Sequence, residues 1–326
     1  MESALLHGGN LGAARQLFPD APEPFIDLST GINPRSYPVP PLSSDLFARL
    51  PEPAALDRLT DVAATAYGAP SREHVVAAPG TQILLTPVAA LVPPGRAAVL
   101  GPTYAELSRA ATLVGHDVTE VGDIGQLENA DLAVVVNPNN PDGRQHDPAK
   151  LLALLPHVGR LVVDESFADC VPGLSLAPEA GRPGLIVLRS FGKFYGLAGL
   201  RLGFILASEA DVAAFAGMSG PWPVSGPAIE IGRRALLDRD WADETRARLA
   251  RGSARLDRLT RDAGWTLIGG TPLFRLYEAG DAVAAQERLA EAKIWSRIFR
   301  DSPGWLRLGL PGSEAEWERL AAALSR

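Results

Sequence analysis

From about residue 75 the chain is built of short, continuously apolar runs: HVVAAPG, RAAVLGPTY, LAVVVNPNNP, RLVVDESF, LIVLRSFGK and LRLGFILAS. Each is of strand length and rich in β-branched residues, and most close on Gly, Pro, Asn or Asp. Between several of them lie stretches whose apolar residues recur at helical spacing, such as TQILLTPVAALV and AELSRAATLVG. Continuous apolar strands alternating with helices predict a mostly parallel sheet covered on both faces. In such sheets ligands bind beyond the carboxyl ends of the strands, so the polar residues that close them are the ones to inspect.

The pattern differs on either side. Residues 1–30 read as an irregular arm, and YPVPPLSSDLFARLPEP as a Pro-rich loop with a short helix. AALDRLTDVAATAYG has helical spacing. After Pro221 comes a long helical region, PAIEIGRRALLDRDWADETRARLARGSARLDRLTRDAG, broken at least once. Strand-like WTLIGG, LFRLYEA, IWSRIF and WLRLGL follow, with helices DAVAAQERLAEAK and SEAEWERLAAALS. The expected organisation is an arm over 1–30, a large α/β domain over 31–221 and a small α+β domain over 222–326.

Composition narrows the partners. The chain has 326 residues, 46% hydrophobic and 21% charged, with net charge −7. That fits a soluble globular protein, and without a basic run nucleic acid and anionic membranes are poor partners. A single cysteine, Cys170, excludes an intramolecular disulfide and fits a cytoplasmic setting. The N-terminus lacks the basic start and apolar core of a signal peptide. No apolar run reaches the roughly 18 residues of a membrane span.

Four strand ends carry candidate chemistry. In VVDES, Asp164 closes an apolar strand, where a buried carboxylate calls for a cation; a strand-end cap reads the same way. NPNNPDG, Asn137 to Gly143, is a rigid turn. In APGTQILL, Gly80 and Thr81 open a helix whose free N–H groups suit a phosphate, or merely cap it. SFGKFYGLAGLRLGF places Ser190, Lys193 and Arg201 among glycines and apolar residues. The lysine fits neither a P-loop nor G-x-G-x-x-G, the five histidines lack metal-ligand spacing, and G-x-S-x-G is absent. A lone lysine in an apolar pocket suits covalent attack on a carbonyl. Pyridoxal phosphate would need that lysine, a carboxylate for its ring nitrogen, a phosphate cup, a donor to the ring hydroxyl and a flat side chain over the ring.

The ordered set PGTQ, GPTYAE, NPNNPDG, VVDESF, SFGKFYGLAGLRLG and WLRLGL resembles the fold-type I, pyridoxal-phosphate-dependent class I/II aminotransferase superfamily over essentially the whole chain. The resemblance implies a homodimer and these roles. Lys193 is the cofactor-anchoring lysine, Asp164 pairs with the ring nitrogen, Asn140 bonds the ring hydroxyl and Tyr104 stacks on the ring. Gly80, Thr81, Gln82, Ser190 and Arg201 surround the cofactor phosphate. Arg307 grips a substrate carboxylate, and Arg297 is a second anion contact. Three positions depart from the family pattern. Phe167 replaces a tyrosine that bonds the ring hydroxyl. Gly192 replaces a Ser/Thr before the lysine. Leu50 replaces a tyrosine donated across the dimer.

HGGN, His7 to Asn10, followed by DLSTGINP, is similar to the arm of threonine-phosphate decarboxylases of cobalamin synthesis, relatives of histidinol-phosphate aminotransferases. It implies substrate contacts from His7, Gly8, Gly9, Asn10, Ile32, Asn33 and Asn140. The expected reaction is decarboxylation of L-threonine O-3-phosphate to (R)-1-aminopropan-2-yl phosphate. The alternatives are an aminotransferase of the histidinol-phosphate type and a non-catalytic effector-binding domain.

Overall fold

The structure is a computed structural model that describes residues 8–19 and 24–325. It divides into two units. One comprises Tyr37–Asn140 and Arg144–Ala242. The other comprises Met1–Ser36, Pro141–Gly143 and Asp243–Arg326.

The first unit is built on a seven-stranded sheet. Its spatial order is Val75–Ala78, Gly203–Ala207, Leu185–Ser190, Arg160–Asp164, Leu132–Val136, Arg96–Leu100, Asp117–Val121. Gly203–Ala207 runs antiparallel to both its neighbours, and the remaining pairs are parallel. All six apolar runs of the sequence are strands of this sheet; Leu132–Val136, Leu185–Ser190 and Gly203–Ala207 are buried along their whole length, and Arg160–Asp164 at all but its first residue. Ile186, Leu188, Val134, Val162 and Ile205 pack on one face with Leu84, Leu85, Val88, Leu107 and Phe215. The seventh strand, Asp117–Val121, was not among the runs; it is an edge strand, mostly exposed, and its sequence DVTEV alternates instead of staying apolar. Helix Pro53–Tyr67 starts with proline in its first turn and ends on Gly68 at φ +76°, the left-handed C-cap that glycine adopts without strain.

The second unit carries a four-stranded antiparallel sheet in the order Arg297–Phe299, Ser302–Gly309, Phe274–Glu278, Thr266–Thr271. Helices Ala282–Glu291 and Glu314–Leu324 belong to it, the latter opened by a reciprocal capping box between Ser313 and Glu316. The long helical region breaks at Asp238 into Gly226–Leu237 and the 24-residue helix Arg239–Asp262.

The arm is more ordered than its texture predicts. Asn10 caps a helix, Leu11–Leu17, by accepting from the Ala13 N–H at 3.0 Å. Ala14 on that helix is buried in a cluster with Phe25, Ala290 and Trp295. Ile26–Asp27 then pairs in parallel with Ile294–Trp295. A seven-residue helix and a two-residue strand are too short to show a period; Ala290 and Ile294–Trp295, distant in sequence, pack on them and fix them. The same unit includes the Pro141–Gly143 tip, where Gly143 sits at φ +69° with its Cα against the Gly270 carbonyl.

A Cβ at Gly143 meets both a left-handed backbone and that carbonyl. Gly143→Ala is therefore expected to lower the melting temperature by roughly 3–8 °C. A thermal scan checks this, and an unchanged midpoint would mean that the tip does not rest on the Thr266–Thr271 strand.

Candidate functional site

In the first unit, three strand ends and one turn supply the expected residues. Asp164 ends its strand and is 6% exposed. Burial pushes its carboxyl above the ordinary carboxylate range; the Ser166 hydroxyl and N–H, both donated to Oδ1, and the charge of Lys193 pull it back. A buried carboxylate that feels a lysine and accepts two hydrogen bonds is built to carry charge. Lys193 is half-buried in the one-turn helix Phe191–Phe194, which follows directly from the Leu185–Ser190 strand.

Gly80 and Arg201 meet closely. Gly80 has φ +88°, and a Cβ there would lie 2.6 Å from Arg201 Nη2. Gly203 approaches the same turn, since its Cβ would lie 2.8 Å from the Thr81 nitrogen. Two glycines thus let a guanidinium and a backbone N–H converge at the start of the Gln82–Leu84 turn, an arrangement suited to a phosphate. Arg201 is itself left-handed, at φ +55°, and donates to the Ala198 carbonyl at 3.1 Å. Tyr104 is tied to this turn, its hydroxyl donating to Gln82 Oε1 at 2.9 Å. The two asparagines before Pro141 differ. Asn139 is buried, bonded to Thr103 and the Pro102 carbonyl, whereas Asn140 is half-buried. Asn140, expected at the ring hydroxyl, is thus the less enclosed of the two.

These residues fit pyridoxal phosphate: a cationic cradle that any side chain at Gly80 would fill, a buried carboxylate, and a lysine whose charge reaches it. One of the three departures also acquires a cause. A Cβ at Gly192 would lie 2.7 Å from the Ala198 Cα, so the turn that brings Arg201 round excludes the family's hydroxyl residue. Phe167 is buried at the head of the turn Ala168–Cys170. Leu50 is 65% exposed.

In the second unit the arm meets the late strand. Arg307 donates through Nη2 to the Ser29 carbonyl at 2.7 Å, and the Gly8 Cα packs against that same carbonyl. The Gly9 N–H goes to Ser29 Oγ at 2.7 Å, and Ser29 Oγ in turn donates to Asp27 Oδ1 at 2.6 Å. The Gly-Gly pair therefore serves a close backbone approach to Ser29, and the Gly9 N–H is engaged inside the protein. Arg297 and Arg307 are opposite each other across adjacent strands. Burial first, and the charge of Arg297 second, lower the Arg307 guanidinium to about 9, with Asp27 opposing them. Two buried or half-buried guanidiniums side by side favour an anion. Ile32 is half-buried, while the Asn33 side chain is buried and accepts from the Arg35 N–H at 3.0 Å and Arg248 Nη1 at 3.3 Å. His7 lies outside the described residues.

Asp27, Ser29 and Ser166 were not foreseen. Their signal was present: DLS and DES both put Ser two residues after a strand-ending Asp, and in both the Asp side chain accepts the Ser N–H at 2.9 Å. That is an Asx turn, which fixes the carboxylate's direction by local chemistry.

Residues 42–324 match the family Aminotransferase class I and II. The chain belongs to that family. The threonine-phosphate decarboxylase of Pseudomonas aeruginosa is 43% identical over 98% of this chain and 97% of its own length. That of Sinorhizobium sp is 43% identical over 100% and 99%. Two solved structures share the fold. Histidinol-phosphate aminotransferase from Sinorhizobium meliloti in complex with pyridoxal-5'-phosphate superposes with TM-score 0.78 at 23% identity, over 96% of this chain and 92% of that one. The L-threonine-O-3-phosphate decarboxylase from Porphyromonas gingivalis gives 0.77 at 23% identity, over 91% and 98%. Among the described residues no helix is long and apolar enough to cross a membrane, and no cluster of His, Cys, Asp and Glu could hold a metal ion.

Gly192→Ser restores the family's hydroxyl but forces the Ala198 turn outward. The affinity for pyridoxal phosphate is expected to fall about tenfold or more, in line with the 1–3 kcal/mol cost of overpacking. Titration of the cofactor-free protein reads this directly, and tighter binding would contradict the steric account.

Proposed function

We propose that this chain is a pyridoxal-phosphate-dependent threonine-phosphate decarboxylase of cobalamin synthesis, converting L-threonine O-3-phosphate to (R)-1-aminopropan-2-yl phosphate and CO₂. What carries the reading is the 43% identity, over nearly the whole chain including the arm, to relatives that bear this name.

When bound, pyridoxal phosphate supplies an aldehyde for a lysine and an electron sink for the bond broken at the substrate's Cα. In this reading, Gly80, Thr81, Ser190 and Arg201 hold the cofactor phosphate, with Gln82 keeping the Tyr104 ring over the cradle. Asp164, whose ionised form Ser166 and Lys193 favour against the cost of burial, holds a proton on the ring nitrogen. Asn140 donates to the ring hydroxyl. Lys193 anchors the cofactor, and its Nζ returns a proton to the substrate Cα once the carboxylate has left. Arg307 takes the substrate carboxylate, and Arg297 with the arm takes the phosphate. The unfavourable pairing of the two guanidiniums is relieved when a doubly anionic substrate arrives, so their repulsion favours substrate over neutral amines. Asn10 acts chiefly through the helix it caps, and Asn33 by holding the Arg35 turn.

The same reading implies a homodimer in the cytoplasm. Phe47 and Leu50, 70% and 65% exposed on and just after the short helix Asp45–Ala48, are large apolar side chains for a monomer surface. Light scattering tests the dimer, and a monomer at micromolar concentration would count against it.

Purified protein with pyridoxal phosphate and threonine phosphate is expected to release CO₂ with no keto-acid acceptor. Turnover only in the presence of 2-oxoglutarate would sink the proposal in favour of an aminotransferase. Lys193→Ala is expected to abolish turnover. Arg307→Gln is expected to raise KM about ten- to hundredfold, the worth of a charge-assisted hydrogen bond pair.

A further inference from the structure

The first unit buries a second group of charges that the proposed chemistry does not use. Arg189 is 3% exposed, and its guanidinium bonds Glu165 Oε2 at 2.8 Å and Asp169 Oδ1 at 2.5 Å, carboxylates that are themselves 0% and 7% exposed. It also lies 4.4 Å from the centre of the Tyr67 ring. Glu165 is held further by the Ser175 hydroxyl and the Leu176 N–H. Two carboxylates for one guanidinium is a costly arrangement to bury, and well-packed apolar residues would serve stability as well or better.

Its position gives the group a use. Arg189 immediately precedes Ser190, and Glu165 immediately follows Asp164. The two strands are neighbours, with Asp164 opposite Leu188 and the Glu165 N–H donated to the Leu188 carbonyl. Successive side chains along a strand point to opposite faces. Asp164 and Ser190 therefore share one face, while Glu165 and Arg189 share the other. One guanidinium thus clamps the two strand ends from behind, one bearing Asp164 and the other continuing through Ser190 into the helix of Lys193. Asp169 extends the clamp to the turn Ala168–Cys170, and Tyr67 extends it to helix Pro53–Tyr67.

We propose that Arg189 is a positioning residue: from the opposite face of the sheet, its paired bonds to Glu165 and Asp169 set the separation and orientation of Asp164 and Lys193. The inference rests on the reading of those two residues as the cofactor's partners. Misplacement on the scale of 1 Å is enough to cost a large factor in rate, and a lysine ammonium cannot reproduce the two-pronged hold of a guanidinium.

The test compares three holoenzymes: the natural chain, Arg189→Lys, and the charge-free combination Arg189→Met, Glu165→Gln, Asp169→Asn. The combination guards against a single variant that fails to fold, since removing all three charges leaves none uncompensated. The readouts are melting temperature, kcat and KM, and the pH midpoint at which the absorbance of the lysine-bound cofactor changes. In each folded variant kcat is expected to fall about tenfold with KM within about threefold, because the loss falls on the reacting geometry. The absorbance midpoint is expected to move by roughly half a pH unit or more, since it reports the charges set around the lysine. A purely structural ion cluster would change the melting temperature and leave the midpoint alone. A folded variant with the natural midpoint and kcat overturns the inference by itself. A natural chain with no Lys193-dependent cofactor band overturns it together with the reading beneath it.

Discussion

A buried carboxylate at the end of a strand is the constraint around which the first unit is arranged. Burial alone would push Asp164 towards its neutral acid, and a buried, unpaired charge costs several kcal/mol. A hydroxyl and an N–H from Ser166 and a cation nearby oppose that push and favour the ionised form. The cation is supplied by the next strand, one turn beyond its end. Only a sheet whose neighbouring strands end together can bring a carboxylate from one and an ammonium from the other to one place. The single antiparallel member, Gly203–Ala207, then brings the chain back past Arg201 to meet the Gly80 turn. The glycines at that turn are required by the closeness of the meeting, which leaves no room for a side chain.

The second unit works by the opposite electrostatic logic. Where Asp164 has a cation and two donors around it, Arg307 has a second guanidinium, Arg297, opposite it across a strand pair, and that like charge lowers it while Asp27 opposes the effect. The arm contributes through backbone more than through side chains. Ser29, oriented by Asp27, offers its carbonyl to Arg307 and its hydroxyl to Gly9, so the arm helps fix the guanidinium's direction.

Much of this was legible in the chain. Continuous apolar runs identified six of the seven large-sheet strands because those strands are covered on both faces. DVTEV escaped because an edge strand need not be apolar. The arm's helix escaped because seven residues show no reliable period and its cap and packing partners are local and distant, respectively. Lys193, Asp164 and Arg201 stood out as charges in apolar surroundings. Ser166 and Ser29 were readable as the third residue of an Asx turn. The Arg189 cluster was not, since its members are 20 and 24 positions apart and meet only through strand register. Gly192 looked like a loss in the sequence; beside Ala198 it is a steric requirement.

The order in which the chain visits the two units has a practical consequence. It crosses between them after Ser36, on either side of Pro141–Gly143, and after Ala242. Neither unit is a continuous stretch of polypeptide. During synthesis the arm emerges before anything it packs on has been made: the strand that pairs with Ile26–Asp27 lies more than 260 residues later, at Ile294–Trp295. The second unit can therefore close only when the chain is nearly complete, whereas every strand of the large sheet has been made by Ala207. Assembly order is thus written into the connectivity: the sheet that carries the lysine comes first, and the unit that carries the paired arginines is completed last.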